Sequence, residues 1–300
     1  MNLLVTGALP LTTEDQKALE RLGYTVTVHP NEQEEVSTPE RYEAVVCNGL
    51  FLHQDEQAFS SLRLVQLTSA GMDRVPLSKL RKRGVSVCNA RGVYSVPMAE
   101  FALFGVLSLY KESRFFHRNQ QEKRWEKHRG LRELNGRTVL IVGCGSVGLA
   151  CAERFFAMGC HVQGVDVVPV QSDVLETVWP LSDLDAALRL SDVVVLTVPL
   201  TEQTRGLMQT PQFSAMKRDA ILVNLARGAV VDETALLEAL RTETIGGAVL
   251  DVFTEEPLRS DSPLWEREDV ILTPHNSFVS DQNHRRLMET VLCNLEKGIR

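Results

Sequence analysis

The sequence predicts an α/β protein made of two doubly wound parallel-sheet domains. Two observations lead there. Short apolar, β-branched runs alternate with amphipathic helical stretches along the chain, the pattern of strands joined by crossover helices. In addition, residues 138–166, TVLIVGCGSVGLACAERFFAMGCHVQGVD, hold a strand, a glycine turn, a helix and a second strand in succession.

That second stretch carries the spacing G-x-G-x-x-G at Gly143, Gly145 and Gly148. Gly143 permits a tight turn, Gly145 lets backbone approach a pyrophosphate, and Gly148 allows close helix–strand packing. The following helix, with Leu149, Ala152, Phe155 and Phe156 read as its apolar face, offers free N–H groups at its start. Asp166 ends the second strand, where a carboxylate would hold ribose hydroxyls and repel a 2′-phosphate. The expected cofactor is therefore NAD rather than NADP.

Three hundred residues suit two domains, each with its own core. An apolar content of 44% and a charged content of 24% are those of a soluble globular protein. A net charge of −7 argues against general nucleic-acid binding. The six cysteines show no C-x-x-C pair and no metal-ligand spacing, so no metal is expected and a reducing, cytoplasmic setting is. Neither a signal peptide nor a membrane-spanning run is evident.

In chain order, strands are expected at 3–7, 24–29, 44–48, 64–68 and 85–89, with helices at 13–22 and 76–83. The Arg81-Lys82-Arg83 trio needs no partner, because cations suit a helix C-terminus and Gly84 suits its cap. Residues 96–120 read as one long apolar helix continuing into a charged, mixed-sign arm to Arg132 around Trp125. After the glycine unit come strands at 192–198, 219–225, 245–251 and 270–272, a helix at 232–241 and a last helix at 281–297 whose apolar face would return to the first domain.

A doubly wound sheet binds ligands beyond the carboxyl ends of its strands. Arg227 follows Asn224-Leu225-Ala226, Asp251 ends the next strand with Glu256-Pro257 beyond it, and His275 follows the last strand. An Arg, a carboxylate and a His beside a nicotinamide suit hydride transfer at C2 of a 2-hydroxy acid. Arg227 would clamp the substrate carboxylate and polarise the C2 oxygen. His275 would be the acid/base, and Glu256 would orient the imidazole. Asp251 would hold the nicotinamide ribose or carboxamide. Each residue taken singly has an ordinary surface or turn explanation; their joint placement on successive strand ends favours the functional one.

With these residues in view, the chain resembles the D-isomer-specific 2-hydroxyacid dehydrogenase family, which includes phosphoglycerate dehydrogenases and glyoxylate/hydroxypyruvate reductases, along nearly its whole length. The resemblance rests on SAGMDRV (69–75), MAEFAL (98–103), Trp125 before LRELNGRTVLIVGCGSVG (131–148), SDVVVLTVPLTEQTRGLM (191–208), ILVNLARGAVVDETAL (221–236), AVLDVFTEEPL (248–258) and LTPHNS (272–277). It implies a Rossmann NAD-binding domain at 95–277 inserted in a discontinuous, flavodoxin-like substrate domain at 1–94 and 278–300. It implies Arg227, Glu256 and His275 as the catalytic set. It implies NAD contacts from Ser146, Val147, Asp166, Thr197, Val198, Pro199, Thr204, Leu225, Ala226, Asp251 and Met98, beside the fingerprint glycines. Asn48 and Gly49, the backbone N–H groups of Ala70 and Gly71, and Arg227 would bind the substrate, a small 2-oxo or 2-hydroxy acid. The implied assembly is a homodimer joined through the NAD domains.

The loop Asn48-Gly49-Leu50-Phe51 lacks the basic residue of phosphoglycerate dehydrogenases, and its Leu50 and Phe51 suit an uncharged substituent. The sequence runs to Arg300, so no regulatory domain of the kind some phosphoglycerate dehydrogenases carry is expected, and Glu256 stands where formate dehydrogenases of this superfamily pair a Gln with the His. The expected activity is reduction of a small 2-oxo acid. The alternatives are a phosphoglycerate dehydrogenase or a non-enzymatic NAD-sensing binding protein.

Overall fold

The computed structural model describes residues 1–298. In chain order the elements are β1 (Asn2–Thr6), α1 (Thr13–Arg21), β2 (Thr25–His29), β3 (Ala44–Cys47), β4 (Leu64–Leu67), α2 (Leu77–Lys82) and β5 (Ser86–Cys88). There follow α3 (Ser95–Tyr110), α4 (Ser113–Gln121), β6 (Thr138–Val142), α5 (Ser146–Ala157), β7 (His161–Asp166), β8 (Thr177–Pro180) and α6 (Leu184–Leu190). The rest are β9 (Val193–Leu196), α7 (Thr210–Ala215), β10 (Ile221–Asn224), α8 (Glu233–Arg241), β11 (Gly247–Leu250), β12 (Val270–Leu272) and α9 (Asn283–Gly298). The chain divides into two compact units, one of Met1–Tyr94 with the segment from Ser280 on, the other of Ser95–Val279. No described helix is long and apolar enough to cross a membrane.

The first unit holds a five-stranded sheet in the order β2-β1-β3-β4-β5, with every pair parallel. Side chains alternate across it. Leu3, Val5, Ala44, Val46 and Leu64 pack on one face with Leu19 of α1 and with Leu287, Met288, Val291 and Leu295 of α9. Leu4, Val45, Cys47, Val65 and Leu67 face the other side, with Leu50, Phe51, Phe59 and Leu80. The C-terminal helix is thus a wall of the N-terminal unit. Tyr24 donates its hydroxyl to the Leu295 carbonyl (3.2 Å), and the Asn294 amide donates to Gln66 Oε1 (2.8 Å), itself buried in β4.

The second unit holds a seven-stranded sheet in the order β12-β11-β10-β9-β6-β7-β8, again wholly parallel. Val139, Ile141, Val193, Val195, Ile221, Val223 and Val249 meet α3 and α5 on one face; Leu140, Val142, Val194, Leu196, Leu222 and Leu250 meet α6, α7 and α8 on the other. Gly105 lets α3 lie against the sheet, since a Cβ there would stand 2.5 Å from Val249 Cγ1.

Three expectations are corrected. The long helix over 96–120 is two helices, broken at Lys111–Glu112 with Glu112 in the left-handed region (φ 51°). The apolar stripe ends at buried Tyr110, whose ring lies under the Arg132 guanidinium at 4.1 Å, so nothing beyond it draws the chain onward along the same axis. The arm after Gln121 is irregular, and Trp125 stands 99% exposed. Phe156 is half exposed rather than on the buried face of α5; next to buried Phe155, it is turned by about 100° about the axis. Finally β8 adds an unanticipated edge strand. Its four residues, TVWP, end in proline and bury neither end, so they carry no apolar run.

Candidate active site

The fingerprint residues take the geometry their types require. β6 runs into Gly143 at φ 98°, where a Cβ would stand 2.8 Å from the Val198 nitrogen. A Cβ on Gly148 would be 2.0 Å from the Gly143 carbonyl oxygen and 2.9 Å from Thr197 Oγ1. Gly145 differs: a Cβ there meets nothing within 4 Å. It is the N-cap of α5, and no side chain caps that helix. The first-turn N–H groups of α5 are thus left without a side-chain cap, which fits a pyrophosphate. Asp166 is held at this loop, with Oδ2 accepting from Cys144 N (2.8 Å) and Oδ1 from Val168 N (3.1 Å). Burial, and then the Asp166 charge, push the Cys144 thiol up to about 12, so it is an inert part of the loop.

Several residues expected at the cofactor use their side chains inside the protein. Thr197 donates to the Gly143 carbonyl (2.6 Å), stitching the end of β9 to the fingerprint turn. Thr204 donates to the Pro199 carbonyl (2.6 Å) and closes the 199–204 turn. Leu225 and Ala226 are buried in the two cores, 3% and 5% exposed. Val198 is half-buried beside Gly143 and Pro199 is exposed.

β10, β11 and β12 are neighbours, so the loops leaving their carboxyl ends are neighbours too. Asn224, 1% exposed, shapes the first loop: Oδ1 accepts from Ala226 N (3.1 Å) and Nδ2 donates to the Arg227 carbonyl (3.2 Å). Arg227 emerges half-buried, with Nη1 donating to the Ala226 carbonyl (2.8 Å). A Cβ on Gly228 would be 1.9 Å from the Phe253 carbonyl carbon, so this loop and the one after β11 are in backbone contact.

His275 sits at φ 50°, an uncommon region for a residue with a Cβ. The conformation is imposed by Asp251, itself 1% exposed. Asp251 Oδ1 accepts from Thr273 Oγ1 (2.7 Å), Asn276 N (2.7 Å) and Ser277 N (3.1 Å); Oδ2 accepts from Ser277 N (3.0 Å). Its backbone carbonyl takes the His275 N–H (2.8 Å). Asp251, expected at the nicotinamide, has Oδ1 committed to the His275 turn and only Oδ2 with a direction open. Replacing Asp251 by Ala leaves three donors unpaired, and unfolding is expected to become easier by about 3 kcal/mol. Urea denaturation reads this; an unchanged midpoint would contradict it.

Glu256 reaches back to the same turn. Oε2 lies 2.9 Å from His275 Nδ1 and Oε1 accepts from Phe253 N (3.0 Å). The carboxylate fixes the N–H of the imidazole on Nδ1 and leaves Nε2 as the exchangeable nitrogen. The Phe278 ring stands edge-on to the imidazole at 6.1 Å.

Residues 103–277 match the sequence model of the D-isomer specific 2-hydroxyacid dehydrogenase NAD-binding domain. The chain belongs to the D-isomer specific 2-hydroxyacid dehydrogenase family. Among its relatives, a D-3-phosphoglycerate dehydrogenase of Archaeoglobus fulgidus is 31% identical over 307 residues, covering 100% of this chain and 58% of that protein. A glyoxylate reductase of Korarchaeum cryptofilum is 35% identical over 244 residues, covering 80% of this chain and 74% of that one. The chain thus spans little more than half of the first relative's length. A solved family member from Xanthobacter autotrophicus, in complex with NADPH and MES, superposes with a TM-score of 0.83 at 30% identity, covering 99% and 94% of the two chains. The second unit therefore contains the family's NAD-binding domain, and the α/β class read from the sequence is the family's own.

The first unit presents two strand-end loops of interest, after β3 and after β4. The turn after β4 has its carbonyls accounted for, Ala70 by the Asn89 amide (2.6 Å) and Gly71 by the Ser69 hydroxyl (2.9 Å). The N–H groups of Ala70 and Gly71 have no partner among the described residues. The loop after β3 differs from expectation in two ways. Leu50 and Phe51 are core residues, 0% and 8% exposed. The N–H groups of Asn48 and Gly49 are already bonded to the Glu32 carboxylate, at 2.7 and 2.6 Å. Glu32 and Asn224 were not singled out from the sequence. Asn224 carries a signal, a lone amide closing the apolar run ILV; Glu32 sits in an acidic stretch, NEQEE, that reads as a solvated loop.

Proposed function

We propose that the chain is an NAD-dependent D-2-hydroxyacid dehydrogenase that works mainly as a reductase of a small 2-oxo acid. The observation that carries this is the His275–Glu256 pair at 2.9 Å, formed by the loops after β12 and β11, next in the sheet to β10 and its Arg227 loop, in an NAD-binding unit. Bound NADH supplies the hydride. Arg227 holds the substrate carboxylate through paired N–H donors and polarises the C2 oxygen. His275 holds a proton at Nε2 and gives it to that oxygen as charge develops there; in the reverse direction Nε2 takes the proton from the C2 hydroxyl. Glu256 keeps the imidazole in the tautomer and orientation this needs. Substrate binding is also assigned to the N–H groups of Ala70 and Gly71 and to Asn48 and Gly49. Asp251 serves chiefly as the support of the His275 turn.

Asp166 supports NADH over NADPH, because its carboxylate is anchored where a 2′-phosphate would meet like charge. With the purified protein, kcat/KM for NADH is expected to exceed that for NADPH by about tenfold or more, and Asp166→Ser to narrow the gap. A preference for NADPH in the unmodified enzyme would contradict the assignment. The reaction itself is tested by NADH oxidation against glyoxylate, hydroxypyruvate, pyruvate, oxaloacetate, phenylpyruvate and branched 2-keto acids, of which the small ones should turn over; none turning over would overturn it.

The working form we propose is a homodimer through the NAD-binding unit, whose surface exposes Phe104, Phe116, Trp125 and Phe156. Six unpaired thiols suit a reducing, cytoplasmic compartment.

A further inference from the structure

The first unit's sheet reverses its winding between β1 and β3, and a ligand of such a sheet binds at that switch point, beyond the carboxyl ends of the strands. The side chain found there is Glu32, on the loop after β2. Its Oε1 accepts from Thr6 Oγ1 at the end of β1 (2.6 Å) and from Asn48 N after β3 (2.7 Å), and Oε2 accepts from Gly49 N (2.6 Å). The fit is close, since a Cβ on Gly49 would stand 3.4 Å from Oε2. Two successive N–H groups at a strand end form a cradle for an anion, and in this chain the cradle is filled from within. All three donors are neutral, so they orient the carboxylate without cancelling its charge. Asn48 adds a second feature of the same sign: its Oδ1 is a buried acceptor with no partner among the described residues. The field reaches β3, where burial and then the Glu32 charge raise the Cys47 thiol above its ordinary value.

We propose that Glu32 is a specificity-determining residue that restricts the substrate to 2-oxo acids whose C2 substituent carries no negative charge. This rests on the reductase reading above and deepens it. Leu50 and Phe51 are packed in the core and so cannot make that selection; a fixed carboxylate at the switch point can. It repels a second carboxylate, sulfonate or phosphate on the substrate and tolerates hydrogen or a hydroxymethyl group.

The test is the ratio of kcat/KM for oxaloacetate to kcat/KM for hydroxypyruvate, measured on the purified full chain and on Glu32→Gln. The ratio should rise about tenfold in the variant, mostly through KM for oxaloacetate. In the unmodified enzyme it should also rise between about 0.02 M and 0.5 M salt, because screening weakens repulsion between charges near the surface. Glu32→Asp, which keeps the charge, should keep the ratio low. A role in loop structure alone would lower both substrates together. Hydroxypyruvate turnover with a ratio unmoved by Glu32→Gln and by salt overturns the role of Glu32 and leaves the reductase reading standing. If Glu32→Gln does not fold, the salt series on the unmodified enzyme decides alone. No turnover of any 2-oxo acid overturns the reductase reading, and this proposal with it.

Discussion

Replacing His275 by Gln is expected to lower kcat for 2-oxo acid reduction by about 10²–10⁴-fold, the range over which a positioned acid/base contributes. Gln preserves the size and polarity of the position and keeps a hydrogen bond to Glu256, but it has no proton to give at the C2 oxygen. The loss should therefore fall on kcat, while NADH affinity, measured by fluorescence titration, stays within a few-fold. Nothing in the fingerprint loop touches His275, so a large loss of NADH binding would mean that the turn had collapsed rather than that proton transfer had been removed. A variant that kept full turnover would sink the assignment of His275 as acid/base. Glu256→Gln separates orientation from charge, since it keeps an acceptor for Nδ1, which lies 2.9 Å from Glu256 Oε2, and removes the negative charge.

Arg227→Lys is expected to lower kcat/KM by about 10²–10³-fold, roughly 3–4 kcal/mol in transition-state binding. The substitution retains the positive charge, so any role limited to long-range attraction would survive it. What it removes is the planar fork, which meets a carboxylate through two parallel N–H donors and which a single ammonium cannot reproduce. The Asn224 amide, which donates to the Arg227 carbonyl and accepts from Ala226 N, holds this backbone in place whichever side chain follows. The loss is therefore expected in kinetics and not in folding. Steady-state parameters within a few-fold of the unmodified enzyme would show that Arg227 is not the carboxylate clamp.

What could be read from the sequence depended on whether a residue's role is local. Gly143, Gly145 and Gly148 declare their roles by spacing, because each answers a constraint within one strand–turn–helix unit. Arg227, Glu256 and His275 stand in order behind three strands, and parallel topology turns that order into adjacency. The opposite holds for groups whose partners lie in other segments. Asp251 looked like a ligand for the nicotinamide because it ends a strand, yet most of its capacity is taken by Thr273, Asn276 and Ser277. The partners of Glu32 lie 16 to 26 positions away, so nothing in its surroundings along the chain distinguishes it from the acidic residues beside it. Leu50 and Phe51 misled because an apolar pair after a strand can line a pocket or fill a core, and periodicity cannot separate the two over so short a run. The single helix expected over 96–120 failed because polar residues with good helical propensity do not reveal where the chain changes axis.

The position of α9 has a consequence for biosynthesis. Leu287, Met288, Val291 and Leu295 complete a core whose other members lie in the first ninety-four residues, so the unit translated first is the last to be finished. While the ribosome makes the NAD-binding unit, the β1–β5 sheet waits with one face uncovered. At about 5–20 residues per second that interval lasts on the order of ten seconds or more. The first unit cannot use the usual advantage of N-terminal folding during synthesis, and its exposed apolar face is then a natural client for a chaperone. Nascent chains truncated before residue 283 should remain protease-sensitive over 1–94 after the second unit has become resistant.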